Sequence, residues 1–147
     1  MMQWQIQQAI FARLEAELDT PVYDHVPQGS AYPYINIGED TALQWDTDDS
    51  TGSESTLTIH TWSRQYGRRE TKQIMRQIYN ALHRAELDIA GGLFVTCEWE
   101  FAESFVDPDG VTRHGVMRFR ILSEIDPQAV TFGGEPVTFS GEGVTYA

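Results

Sequence analysis

The 147-residue chain has a single cysteine, Cys97, so no internal disulfide can hold it together, and no Cys/His spacing suggests a zinc site. No apolar stretch approaches the roughly 20 residues of a membrane span. The N-terminus, MMQWQIQQAIFARLEAELD, lacks the basic-then-apolar order of a secretion signal. These absences lead to the expectation of a soluble protein, made inside the cell and held by an apolar core. Positive charge is scarce too: 10 Lys and Arg stand against 22 Asp and Glu, a net charge of −12. That balance argues against wrapping nucleic acid with an overall basic surface. The scarcity is also uneven, since no Lys or Arg lies between Arg13 and Arg64, where ten acids fall from Glu15 to Glu54.

What is present fits one globular domain: 41% hydrophobic and 12% aromatic residues supply a core at this length. After the acidic stretch, Arg64, Arg68, Arg69, Lys72, Arg76 and Arg84 cluster, with only Glu70 against them, and acids return from Glu86 to Asp109. Each block taken singly is an ordinary solvated face. Together they suit complementary surfaces that meet between copies of one chain.

Periodicity gives the elements. Ile6, Ile10, Leu14 and Leu18, joined by Phe11, form one helical stripe that Pro21 ends. Tyr34 to Ile37 reads as a short strand, and "EDTALQWDTDDSTGSEST" as a long acidic loop or an extended hairpin arm. In "STLTIHTW", Leu57, Ile59 and Thr61 alternate with Thr58, His60 and Trp62. A second helix is expected from near Arg68 to about Ala85, with Ile74, Ile78 and Leu82 inward and a basic exposed side. Two strands follow. In the first, Val95, Cys97, Trp99 and Phe101 face one way and Thr96, Glu98 and Glu100 the other; in the second, Met117, Phe119 and Ile121 face inward and Arg118 and Arg120 outward. Glu98 and Glu100 are therefore expected across from Arg118 and Arg120. The fold class is α+β: one antiparallel or mixed sheet of about four to five strands with two helices on one face. This domain spans residues 1–125. Residues 126–147, with "VTFGGEP", "VTFSGEG" and "VTYA", form an extended C-terminal segment of V-T-aromatic repeats, either a polar tail or strands that add to a sheet edge.

No catalytic constellation stands out. The four histidines, His25, His60, His83 and His114, lie in separate elements without ligand-like spacing, and Cys97 occupies an inward position that suits a small buried hydrophobe. "DPDGVTRHG" looks like a site but reads better as a hairpin turn. Asp107 accepts from backbone amides, Pro108 presets the first corner, Asp109 tolerates the second, and Gly110 supplies the left-handed residue. No cofactor, metal or catalytic residue is expected. Candidate subunit or partner contacts are Arg64, Arg68, Arg69 and Arg76, the arm residues Trp45, Asp46, Asp48 and Asp49, the hairpin residues Arg113 and His114, and Phe132, Phe139 and Tyr146 of the repeats.

Three stretches, "VYDHVPQGSAYPYINIGED", "LTIHTWSRQYG" and "DPDGVTRHGVMRFRIL", resemble in order and spacing the signature segments of a phage tail completion family. That family was long catalogued as a domain of unknown function and is related in fold to tail terminators and head–tail joining proteins. The resemblance covers roughly Met1 to Glu124. It implies a non-enzymatic virion protein, assembled in the bacterial host cytoplasm, whose copies form a ring, usually a hexamer, at the head-proximal end of the tail. The implied partners are further copies of itself, the tail tube protein and the head connector. DNA would pass through the ring without specific binding, and no membrane is involved. Family members commonly end soon after the last strand, so the segment from Asp126 to Ala147 is a departure. Two other classes stay open: a nucleic-acid-contacting module built on the basic helix, and a small enzyme in which His114 and Asp107 or Asp109 meet in a cleft. A gene transfer agent or contractile tail could use the same subunit.

Overall fold

Helix α1 (Gln3–Glu17) forms where the sequence repeats its apolar residues every three or four positions, and Ile6, Ile10 and Leu14 are buried along it. It stops at Leu18, whose backbone turns extended three residues before Pro21. In this computed structural model, which describes residues 2–46, 48 and 51–125, two helices lie on one five-stranded sheet. The strands are β1 (Val22–Tyr23), β2 (Tyr34–Gln44), β3 (Gly52–Ser63), β4 (Gly92–Val106) and β5 (Arg113–Ile125), and α2 (Arg69–Leu82) connects β3 to β4. The sheet order is β1-β2-β3-β5-β4. All pairs are antiparallel except the short parallel β1–β2 pair, so the sheet is mixed. The architecture is α+β, as the periodicity predicts. The V-T-aromatic repeats and the expected contacts Asp49, Phe132, Phe139 and Tyr146 lie outside the described residues.

Alternation decides which face is buried. On β3, Leu57, Ile59 and Thr61 point to the helices; on β5, Met117, Phe119 and Ile121 do the same, with Phe119 and Ile121 fully enclosed. They meet Ile10 and Leu14 of α1 and Ile74, Ile78 and Leu82 of α2 in one continuous core. Burying each such side chain stabilises the fold by about 1.5–3 kcal/mol. The opposite sheet face carries no helix among the described residues.

Two expectations shift. The Tyr34–Ile37 strand is longer, because the acidic stretch folds as a hairpin arm in which Asp40 to Gln44 pair with Leu57 to Ser53. A register shift between Ile37 and Asp40 re-phases the strand there, so polar residues continue the ladder after the apolar alternation has ended. On β4 the register shifts between Phe94 and Thr96 and again between Trp99 and Phe101, and the latter shift breaks the expected alternation. Phe101 then lies opposite Arg118, whose guanidinium stands 4.9 Å over its ring, rather than on the core side with Cys97. Glu98 does face Arg120, but Glu100 falls in the bulge. The ion pairs are different as well: Arg120 Nε binds Glu54 Oε2 at 2.9 Å, and Arg84 Nε lies 3.8 Å from Glu98 Oε2.

Candidate functional site

The β4–β5 hairpin tip is built by its aspartates, with the expected division of labour reversed. Gly110 has φ of +73°, and its amide donates to the Asp107 carbonyl at 2.9 Å, closing the turn. The carboxylate that accepts from backbone amides is that of Asp109, not Asp107: its Oδ1 takes the Val111 and Thr112 amides at 2.9 and 2.8 Å. Asp109 Oδ2 accepts from the Thr112 hydroxyl at 2.6 Å. The Thr112 hydroxyl and these amides hold the Asp109 carboxyl down at about 2. The reversal follows from spacing, because an Asx carboxylate reaches amides two and three residues ahead and Asp109 sits at that distance from the return strand.

The Asp107 side chain turns instead to His114, whose Nδ1 lies 3.4 Å from Asp107 Oδ1. His114 is cross-strand from Trp62 on β3 and Phe105 on β4. Its ring stacks on Trp62 at 3.8 Å between centroids, with Phe105 at 4.8 Å. Tyr34 of β2 continues this row at 6.5 Å from Trp62, and Tyr23 of β1 at 5.9 Å from Tyr34. One aromatic row thus crosses all five strands on the face away from the helices. Beside it, His60 Nδ1 and His114 Nε2 stand 2.8 Å apart, and His60 Nε2 lies 2.9 Å from Glu39 Oε1. The histidines, far apart in sequence and without recognisable spacing, are therefore paired in space. The only sequence signal was their shared outward parity on β3 and β5, and reading it needed the register of a pairing across 54 residues.

The expected contact residues fall into three places. Arg64 converges on the hairpin tip, donating from Nε to the Thr112 hydroxyl at 3.1 Å and lying 3.8 Å from Asp109 Oδ2, with its guanidinium 4.5 Å over the Tyr32 ring. Arg113 joins it there, donating to the Val111 carbonyl at 2.6 Å. Arg68, Arg69 and Arg76 are exposed on or beside α2, in the helix layer. Trp45, Asp46 and Asp48 lie at the other end of the sheet, where the Trp45 amide donates to the Gly52 carbonyl and Asp46 Oδ1 accepts the Gly52 amide at 3.1 Å.

An enzymatic reading fares poorly on this geometry. The cleft of about 410 Å³ between α1 and the 86–90 segment is lined by residues such as Gln5, Arg13, Glu86 and Asp88, and none of His114, Asp107 or Asp109 reaches it. Burial, with Glu98 beside it, pushes the Cys97 thiol up to about 12, so it is no nucleophile. The Ser63 hydroxyl donates to Glu70 Oε1 at 2.6 Å and accepts the Gln65 amide, tying the end of β3 to α2. Among the described residues no group of three or more His, Cys, Asp or Glu could hold a metal ion.

Comparison with known proteins agrees with this frame. The tail completion protein gp17 of Bacillus phage SPP1 is 29% identical over 120 residues, which span 78% of this chain and 89% of that protein. The solved structure of SPP1 gp17 superposes with a TM-score of 0.55 at 25% identity, covering 86% of this chain and 96% of that one. A chain from the virion of a native gene transfer agent particle shares the fold more closely, with a TM-score of 0.78 at 22% identity over 84% of this chain and 97% of that one. The family described as "Tail completion protein gp17" matches residues 8–124, a span that runs from the first turns of α1 almost to the end of β5 and takes in every element that builds the core. By that match the chain belongs to the tail completion protein gp17 family.

Proposed function

We propose that this protein is a tail-terminating subunit, whose copies form a ring, of hexamer type, that caps the tail tube and receives the head connector. As a member of a tail completion family it is a structural protein of a tailed particle, not an enzyme. The family match over residues 8–124 is the observation that carries the finer reading. Charge placement supports it. Arg68, Arg69, Lys72 and Arg76 form an exposed cationic strip at the start of α2 and along it, while ion pairs among the described residues engage Arg64, Arg84 and Arg120. Glu15, Glu17 and Asp19 are exposed around the end of α1, and Glu86 and Asp88 follow α2. Exposed patches of opposite sign at different places on one subunit suit a heterologous contact that closes into a ring.

The acidic arm, with Glu39 and Asp40 exposed, and β4, with Glu100 and Glu103 exposed, would line the pore. Like charge there would keep DNA phosphates from adhering, so the genome passes without specific binding. The test is negative-stain microscopy of the purified protein, alone and mixed with tail tubes assembled without it. Rings, or tubes that end in an added density and stop growing, are the expected result. A protein that stays monomeric and leaves tube length unchanged overturns the proposal, and a ring whose lumen is lined by Arg68 and Arg76 overturns the acidic pore.

A further inference from the structure

Glu39, His60, His114 and Asp107 form a row of carboxylate, imidazole, imidazole and carboxylate with gaps of 2.9, 2.8 and 3.4 Å. Each of these three gaps joins two electronegative atoms and needs one proton to be attractive. Ionised carboxylates bring none. Two neutral imidazoles bring one N–H each, so one gap is left with lone pairs face to face. One imidazolium and one neutral imidazole bring three N–H groups and fill every gap. Two imidazoliums bring four, and two of those point at each other across the 2.8 Å centre.

We infer that His60 and His114 act as a one-proton pair, a pH-responsive clasp that ties the Glu39 bulge of β2 to the Asp107 end of the β4–β5 hairpin. Binding one proton closes the row; losing it releases a carboxylate end, first at the longer Asp107 link. A second proton forces the two rings apart.

The surroundings are shaped for the row. The register shift between Ile37 and Asp40 delivers Glu39 to His60. Gly38 leaves the space for that ring, since a Cβ there would stand 2.6 Å from His60 Cδ2 and 2.7 Å from Nε2. Trp62 and Phe105 hold the His114 ring, and the two imidazoles keep only 16% and 12% of their side-chain surface exposed. The charged groups around the row are Glu39 and Asp40 on β2, Arg113 and Arg118 on β5, Glu103 on β4 in the cross-strand line of His60 and Val116, and Asp107, Asp109 and Arg64 at the tip. Tyr34 is the nearest ionisable group along the aromatic row.

Burial, and then His60, hold the proton affinity of His114 below that of a free imidazole, with Asp107 and Glu39 opposing. The hydrogen bond from His60 holds the Glu39 carboxyl below its usual range. These directions agree with an N–H of His60 held towards Glu39 and with a second proton being resisted.

The test is a pH titration of the full chain followed by imidazole ¹⁵N NMR. The signals of His60 and His114 are expected to move together in a first step, with the second proton bound about tenfold or more weakly; two identical independent sites differ only by the statistical factor of about four, and two unlike independent sites each move in a step of their own. In His60→Gln and in His114→Gln the remaining histidine titrates in one step and the shared step disappears. Gly38→Ala, which displaces the His60 ring, abolishes the shared step while His25 and His83 titrate as before. Independent single-step curves for both histidines in the unsubstituted protein overturn the inference, whether or not the variants fold.

Discussion

Replacing Thr61 by valine should make this protein more stable. Thr61 sits on the helix-facing side of β3, between Ile35 of β2 and Gly115 of β5, and is fully buried. Its hydroxyl has no hydrogen-bond partner among the described residues. A buried hydroxyl without a partner costs about 1–3 kcal/mol. Valine keeps the branched shape and the preference for strands, and replaces the buried, unpartnered hydroxyl by a methyl group. The expected gain is about 1–2 kcal/mol. For a domain of roughly 120 residues, with an unfolding entropy near 2.1 cal/mol/K per residue, that is a rise in Tm of about 4–8 °C. Urea unfolding followed by circular dichroism measures it as a higher midpoint at unchanged slope. Thr61→Ser is the control, since it keeps the hydroxyl and removes the methyl, and it should lose about 1 kcal/mol. If Thr61→Val instead lowered stability by a comparable amount, the hydroxyl would have a partner in the native state and the reasoning would fail.

Phe119→Ala, at the centre of β5 and fully enclosed, should cost about 3–5 kcal/mol, and Phe119→Leu much less, both read from the same urea curves. Gly110→Val should destabilise by about 1–2 kcal/mol or more through backbone strain alone, because φ is +73° and a side chain there meets nothing within 4 Å; Gly110→Asn should be milder. Acid unfolding should show Asp109: its folded carboxyl titrates at about 2, against roughly 3.9 in an unfolded chain, so its stabilisation is present above the higher value and lost as pH falls towards the lower. Asp109→Asn should flatten that part of the pH–stability profile.

Much of the fold was legible because burial writes itself into local periods. Ile6, Ile10 and Leu14 announce α1, and Ile74, Ile78 and Leu82 announce α2, whatever lies opposite them. Leu57, Ile59, Met117, Phe119 and Ile121 do the same for the central strands, since one buried face imposes alternation. The turn glycine at 110 was legible for a similar reason, being a local conformational demand. Local patterns break at bulges. The shifts at Ile37/Asp40 and Trp99/Phe101 change which face a residue occupies without changing composition, so Phe101 falls on the other face from the one its alternation predicts, and the choice between loop and hairpin arm for Asp40–Gln44 is settled only by pairing.

Sequence by itself thus determined the class of fold, the two helical stripes, the identity of the central core and, through three motifs, the family. Tertiary structure decided the pairings between distant residues. Glu39, His60 and the Asp107–His114 hairpin belong to three separate stretches, and only the β2–β3–β5 register with the β4–β5 turn sets them in one row. The physical reason is that side-chain period is local, whereas register and bulge position are settled by the whole sheet closing over its core.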